Sequence, residues 1–133
     1  YGVEFTNNFD EMKKNFFDVI IMANVLHHVK EEERSGFLST VKGLLKENGF
    51  IFVFEHNPFN PLTRRFVKRC ILDEGTSLVR LQNVVTLLRQ AGIEIARSQY
   101  IVFFPKFLKI FRRLEQDMGW LPLGAQYVCI GKR

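Results

Sequence analysis

Apolar positions gather in two short runs, Phe17–Ala23 and residues 50–54, with a charged stretch between them. The second run, Phe50-Ile51-Phe52-Val53-Phe54, is rich in β-preferring types, and neither run alternates with polar residues. In the intervening residues 31–47, apolar side chains stand at Phe37, Leu38, Val41, Leu44 and Leu45, which is one face of a helix. Gly49 stands where a helix-ending glycine would. Strand, helix and strand without alternation predict a βαβ unit in a parallel sheet buried on both faces. Ligands of such sheets bind beyond the carboxyl ends of the strands. Two polar clusters, residues 24–28 and 55–57, fall at those ends.

The rest of the chain continues the same alternation of elements. Residues 2–5 read as the tail of a strand and 6–10 as a polar turn. Asn60 followed by Pro61 is a cap and first-turn proline. The helix they start should turn Leu62, Phe66, Val67, Cys70 and Ile71 inward and Arg64, Arg65, Lys68 and Arg69 outward. Residues 81–91 predict another helix, with Leu81, Val84, Val85, Leu88 and Ala91 inward and Gly92 ending it. Strands follow over residues 93–104, stopped by Pro105, and over 126–130. Residues 106–124 make a connection longer than a hairpin needs. There Phe107, Leu108, Phe111 and Leu114 share a helical face, four basic residues cover the remainder, and Trp120-Leu121-Pro122-Leu123 follows. No repeat, low-complexity tract or linker divides the sequence, so residues 1–133 read as one domain.

Composition narrows the classes. An apolar share of 47% with 25% charged residues suits a globular chain, and 14 phenylalanines point to a phenyl-rich core or binding face. No run approaches the length that spans a bilayer, and the start lacks both a signal-peptide pattern and an initiating Met, as in a fragment or processed product. Cys70 and Cys129 lie among apolar residues without metal-ligand spacing, as reduced thiols of a cytoplasmic protein would. His27-His28 lacks the third ligand of a metal site. A net charge of +5 selects no partner class by itself. The basic residues are nonetheless clustered, at 64–69 and 106–113.

The sequence Phe17-Asp18 followed by Asn24-Val25-Leu26-His27-His28 and Leu45-Lys46-Glu47-Asn48-Gly49 resembles the second half of a class I S-adenosylmethionine-dependent methyltransferase. These pieces match that family's fourth strand, the turn after it and the approach to its fifth strand, in order and spacing. Leu87-Leu88-Arg89-Gln90-Ala91-Gly92 matches its approach to the sixth. The resemblance implies a Rossmann-like α/β fold, mostly parallel, with an antiparallel C-terminal edge hairpin, truncated at the N-terminal end. The family's glycine-rich loop and the acidic residue gripping the ribose are absent from this chain, whose nine glycines include no Gly-x-Gly. A complete cofactor site therefore cannot be built from it alone.

The resemblance implies S-adenosylmethionine as cofactor, with Asn24, Val25, Leu26 and His27 beside its methionine part. Asn7, Asn8 or Asp10 would approach the adenine, and Asn8 is the residue chosen. His28, Glu55, His56 and Asn57 would face the acceptor, His27, His28 or His56 would serve as a base, and Glu55 is the alternative to His56 as acceptor of its proton. The implied reaction is methyl transfer to a small-molecule acceptor, through an oxygen of a sugar, quinone-like or lipid-linked compound. Nucleic acid is disfavoured, because Asn24-Val25-Leu26-His27 replaces the Asn-Pro-Pro-aromatic signature of amino-group methyltransferases. The alternative is a non-catalytic methyltransferase-like module that binds a protein partner or a membrane surface through residues 106–123. A dehydrogenase of similar sheet fits less well, since its fingerprint glycines are also missing. In the family the fourth strand pairs with the first, so residues 18–23 would leave an apolar open edge. Residues 2–5, a second copy of the chain or upstream sequence would cover it.

Overall fold

The computed structural model describes residues 2, 5, 6, 8, 11–71 and 75–133, excepting the side chains of residues 106 and 107. The elements are β1 (Phe17–Ala23), a 3-10 turn (Glu31–Glu33), α1 (Arg34–Leu44), β2 (Leu45–His56), α2 (Pro61–Val67), α3 (Leu81–Gln90), β3 (Glu94–Ile101), a 3-10 segment (Lys106–Asp117) and β4 (Gln126–Lys132). Their strands form one sheet in the order β1-β2-β4-β3. The β1–β2 pair is parallel, with Ile21 opposite Phe52, and α1 makes the crossover between them. Strand β4 lies antiparallel between β2 and β3. Among the described strands β4 alone runs against the others, giving the mostly parallel α/β sheet with an antiparallel C-terminal edge hairpin that the resemblance implies.

The core forms where α1 and α3 cover one face of the sheet. Leu38 and Val41 of α1 and Val84 and Leu88 of α3 pack with Ile51, Val53, Tyr127 and Cys129 of the two central strands. Alternation along β2 follows from this one-sided cover: Ile51, Val53 and Glu55 are buried, whereas Phe50, Phe52 and Phe54 are partly open. Cover on both faces, expected from the uninterrupted apolar runs, is not what the described residues show. Val19 and Ile21 of β1 are exposed, Ile21 to 67%. Burial also pushes the Cys129 thiol up to about 11, and both cysteines are free.

Several boundaries differ from those the sequence predicts, each for a local reason. The first helix stops at Leu44 instead of Glu47, because Leu45 already pairs with Phe17 in the sheet. Asn48, at φ 64°, takes the left-handed conformation expected of Gly49. Gly49 serves a close approach: a Cβ there would lie 2.9 Å from the Lys46 carbonyl and 3.1 Å from that of Asp18. Strand β3 ends at Ile101, and Val102 turns the chain at φ 60°.

Helix α2 is rotated from its expected orientation. Thr63 and Val67 are its buried residues, so Leu62, Phe66 and Ile71 face outward. The residues after Pro105 form a 3-10 segment with Ile110, Phe111 and Leu114 exposed, in place of a packed amphipathic helix. Of the strand expected over residues 2–5, Val3 and Glu4 lie outside the described residues, and Phe5 is exposed and outside any strand. No described helix is long and apolar enough to cross a membrane.

Two glycines test this packing in opposite directions. A Cβ on Gly131 would collide with Ile93 and lie 3.1 Å from Ile51, whereas one on Gly36, in α1, meets nothing within 4 Å. Gly131→Ala is expected to cost about 1–3 kcal/mol. Gly36→Ala is expected to add about 0.5–1 kcal/mol through helix propensity. Urea unfolding of the two variants measures both signs.

Candidate functional site

The parallel strands β1 and β2 end side by side, and the chain leaves each through a polar turn. Asn24 follows β1 at φ 56°, a conformation asparagine tolerates better than branched residues. Its N–H still donates to the Phe54 carbonyl at 2.8 Å, so the turn begins while the chain is held against β2. The turn closes through His28 N–H to Val25 O (3.1 Å) and Val29 N–H to Leu26 O (3.2 Å). Leu26 and His27 are thereby driven inward, and both are buried.

Glu55, near the end of β2 and fully buried, meets that turn. Its Oε1 accepts from the Leu26 N–H at 2.6 Å, and its Oε2 lies 2.6 Å from His27 Nδ1. A carboxylate withdrawn from water needs such short donors to offset its desolvation. An Nδ1–H of the ring donates to Oε2 in this geometry, so the carboxylate fixes the orientation of the imidazole. Arg34, in the first turn of α1, holds the turn from its other side. Its Nε donates to Leu26 O (3.1 Å) and Val29 O (3.0 Å), and one Nη donates to Ser77 O (3.2 Å). Three carbonyls thus receive a buried guanidinium.

The His27 ring stands 4.2 Å from that of His28 and 5.6 Å from that of His56, centroid to centroid. His56 forms part of the wall of a cavity of about 480 Å³ between α2 and the residues that follow β3. Leu62 and Phe66 supply apolar wall, Asn60 and Thr63 polar wall, and Val102 faces them. A β-branched residue at positive φ is strained, and Val102 holds that strain at the cavity lining. The side-chain oxygen of Asn24 is buried and has no hydrogen-bond partner, the single such side-chain atom found among the described residues.

The residues selected from the sequence divide into a group brought together and a group kept apart. Asn24, Val25, Leu26, His27, His28, Glu55 and His56 converge at the strand ends. Asn57 is turned away: its amide donates to Pro122 O (3.1 Å) and Gly124 O (2.7 Å) while its carbonyl accepts from Phe59 N–H (3.0 Å). Asn8 lies in an exposed turn, donating to Glu11 at 3.1 Å, and Asn7 and Asp10 lie outside the described residues. Sequence reading missed Arg34, which sits at the end of a run of glutamates and carries no local sign of burial.

Residues 5–53 match the family model described as "Methyltransferase domain", a stretch that includes β1, the Asn24–His28 turn, α1 and most of β2. No curated protein sequence matches the chain. Among solved structures, an S-adenosylmethionine-dependent methyltransferase from Archaeoglobus fulgidus superposes with a TM-score of 0.72 at 13% identity, over 94% of this chain and 63% of that one. Another from Thermotoga maritima gives 0.66 at 18% identity, over 92% and 58%. A third is the 1,6-didemethyltoxoflavin-N1-methyltransferase of Burkholderia thailandensis, solved with bound 1,6-didemethyltoxoflavin and S-adenosylhomocysteine. It gives 0.58 at 15% identity, over 94% and 48%. The chain therefore spans less than two thirds of these proteins. It has the Rossmann-like fold of the class I S-adenosylmethionine-dependent methyltransferases, and the sequence match to a methyltransferase domain is confined to residues 5–53.

The Glu55 bridge sets a measurable dependence. Glu55→Ala would leave the Leu26 N–H and His27 Nδ1 without their buried acceptor and is expected to cost about 1–3 kcal/mol for each donor left unsatisfied. Denaturant unfolding reads this loss, and the His27 ring nitrogen shifts in NMR should report a changed tautomer.

Proposed function

We propose that this chain is the C-terminal, acceptor-side portion of a methyltransferase domain that uses S-adenosylmethionine. The observation that carries the reading is the Asn24–His28 turn, which lies in the stretch matching the family model and at the ligand end of the sheet. The residues fit the cofactor in one specific respect. A buried, unpartnered Asn24 carbonyl oxygen suits a positively charged donor such as the ammonium of a methionine moiety. Val25, Leu26 and His27 would flank it. The glycine-rich phosphate-free loop side of such a site is not supplied by this chain.

When bound, the cofactor supplies a methyl group made electrophilic by the sulfonium. The chain's own residues would bind and orient the acceptor in the cavity beside His56, with Leu62 and Phe66 supplying part of its apolar wall. His56 would take the proton that an acceptor hydroxyl gives up on methylation. The Glu55–His27 pair, behind it, keeps the adjoining turn rigid and its imidazole in one tautomer. An oxygen acceptor suits these imidazoles, and the mixed polar and apolar cavity wall suits a sugar, quinone-like or lipid-linked molecule.

Calorimetric titration of S-adenosylhomocysteine into this chain and into the full gene product tests the reading. The full product should bind, and Asn24→Ala should weaken binding about tenfold or more, as expected for a hydrogen bond to a charged group. His56→Gln should leave that binding in place and slow methyl transfer by roughly 10²–10⁴. Absence of binding in both proteins would overturn the assignment and leave an interaction module.

A further inference from the structure

We propose that α2 and the residues from 109 to 123 together form one docking surface for an anionic lipid bilayer. The inference extends the membrane contact considered for residues 106–123 and does not depend on methyl transfer. Thr63 Oγ1 donates to Ala125 O at 3.0 Å, and Val67 is buried one turn later. A short helix fixed along that line must turn its neighbours outward, and Leu62 and Phe66 are 72% and 69% exposed. Arg64, Arg65, Lys68 and Arg69 are exposed on the same helix and its following turn, where they line a shallow basic concavity with Pro61.

The second limb repeats the composition. Ile110 and Leu114 are exposed beside exposed Lys109, Arg112 and Arg113, and Trp120 (78% exposed) and Leu123 follow. The limbs are joined at their bases. Asn60 Nδ2 donates to Leu123 O at 2.7 Å, and the cavity that Leu62 and Phe66 line is closed opposite by Val102 and Pro105, the residues leading into the second limb. Among the described residues of these two limbs, seven basic side chains are exposed and the acidic ones are Glu115 and Asp117, of which Glu115 already accepts from the Phe104 N–H at 2.9 Å.

Interleaved cations and single apolar side chains distinguish the occupant. A protein interface gathers its apolar residues into a core from which lysine is depleted. A nucleic acid offers phosphates, and bases for Trp120 to stack on, but nothing for the exposed Leu and Ile side chains. An anionic bilayer satisfies both sets at once, with headgroup charge for the arginines and lysines and the acyl boundary for the apolar tips. Trp120, with an apolar body and a polar N–H, is suited to that boundary. Docking would set the mouth of the His56 cavity near the lipid headgroups.

Co-sedimentation with vesicles tests the proposal on the 133-residue chain. Vesicles of equal parts phosphatidylglycerol and phosphatidylcholine should bind at least about tenfold more tightly than phosphatidylcholine alone. Raising salt from about 50 to about 500 mM should release the chain, because screening removes the headgroup attraction. The double variants Arg64→Glu/Arg65→Glu and Ile110→Ser/Trp120→Ser alter exposed positions on separate limbs. Each should lower binding about tenfold or more with an unchanged circular dichroism melt. Equal binding to both vesicle types, or none, would overturn the proposal. So would concentration-dependent self-association without lipid that these variants abolish, which would assign the surface to a second copy of the chain. Since S-adenosylhomocysteine is absent from every arm, failure here leaves the methyltransferase reading to its own titration.

Discussion

A single buried carboxylate holds the two strand ends in their working relation. Glu55 belongs to β2, but both atoms it binds belong to the turn after β1, at Leu26 and His27. Parallel pairing brings Ala23 opposite Phe54, so the next residue of β2 arrives at the turn. A one-residue slip of register would send Glu55 to the opposite face and remove it from that turn. The pair costs desolvation energy that an apolar pair would not, so its value lies in specificity of geometry. Arg34 completes the arrangement from α1 by occupying carbonyls on both sides of the histidines. Strand, turn and helix are thus bound to one geometry by charged groups that water does not reach.

Those charges also explain which features of the site could be read from the sequence. The polar clusters at residues 24–28 and 55–57 were visible because they end apolar runs, and the parallel sheet specifies where such ends meet. Strand β1 and helix α3 were likewise legible through continuous apolarity and through i, i+3, i+4 spacing. The direction of Asn57 was not legible, because its partners Pro122 and Gly124 are remote carbonyls that any sequence would supply. Arg34 escaped for the same reason. Backbone carbonyls leave no compositional trace.

Helix α2 shows a different limit. Its apolar residues outnumber the positions its short contact with the sheet can bury, and periodicity alone favoured the larger set. The hydroxyl of Thr63, bonded to Ala125 O, decided the rotation instead. The open face of the sheet belongs to the same category. Uninterrupted apolar residues in β1 and β2 signal two-sided burial, and the described helices cover one side only. The methyltransferase structures that share this fold are longer than the chain, which spans 63% of the one from Archaeoglobus fulgidus.

The amides of Asn57 and Asn60 form the tie between the end of β2 and residues 122–124, and chemical ageing is the hazard specific to such a tie. Deamidation would replace donors with carboxylate oxygens directed at three carbonyls, turning attraction into repulsion. The usual route begins when the following backbone nitrogen attacks the side-chain amide and loses its hydrogen. Pro58 follows Asn57 and Pro61 follows Asn60, and a proline nitrogen within the chain has no hydrogen to lose. The same two prolines that shape the turn therefore also protect its fastening over the lifetime of the molecule.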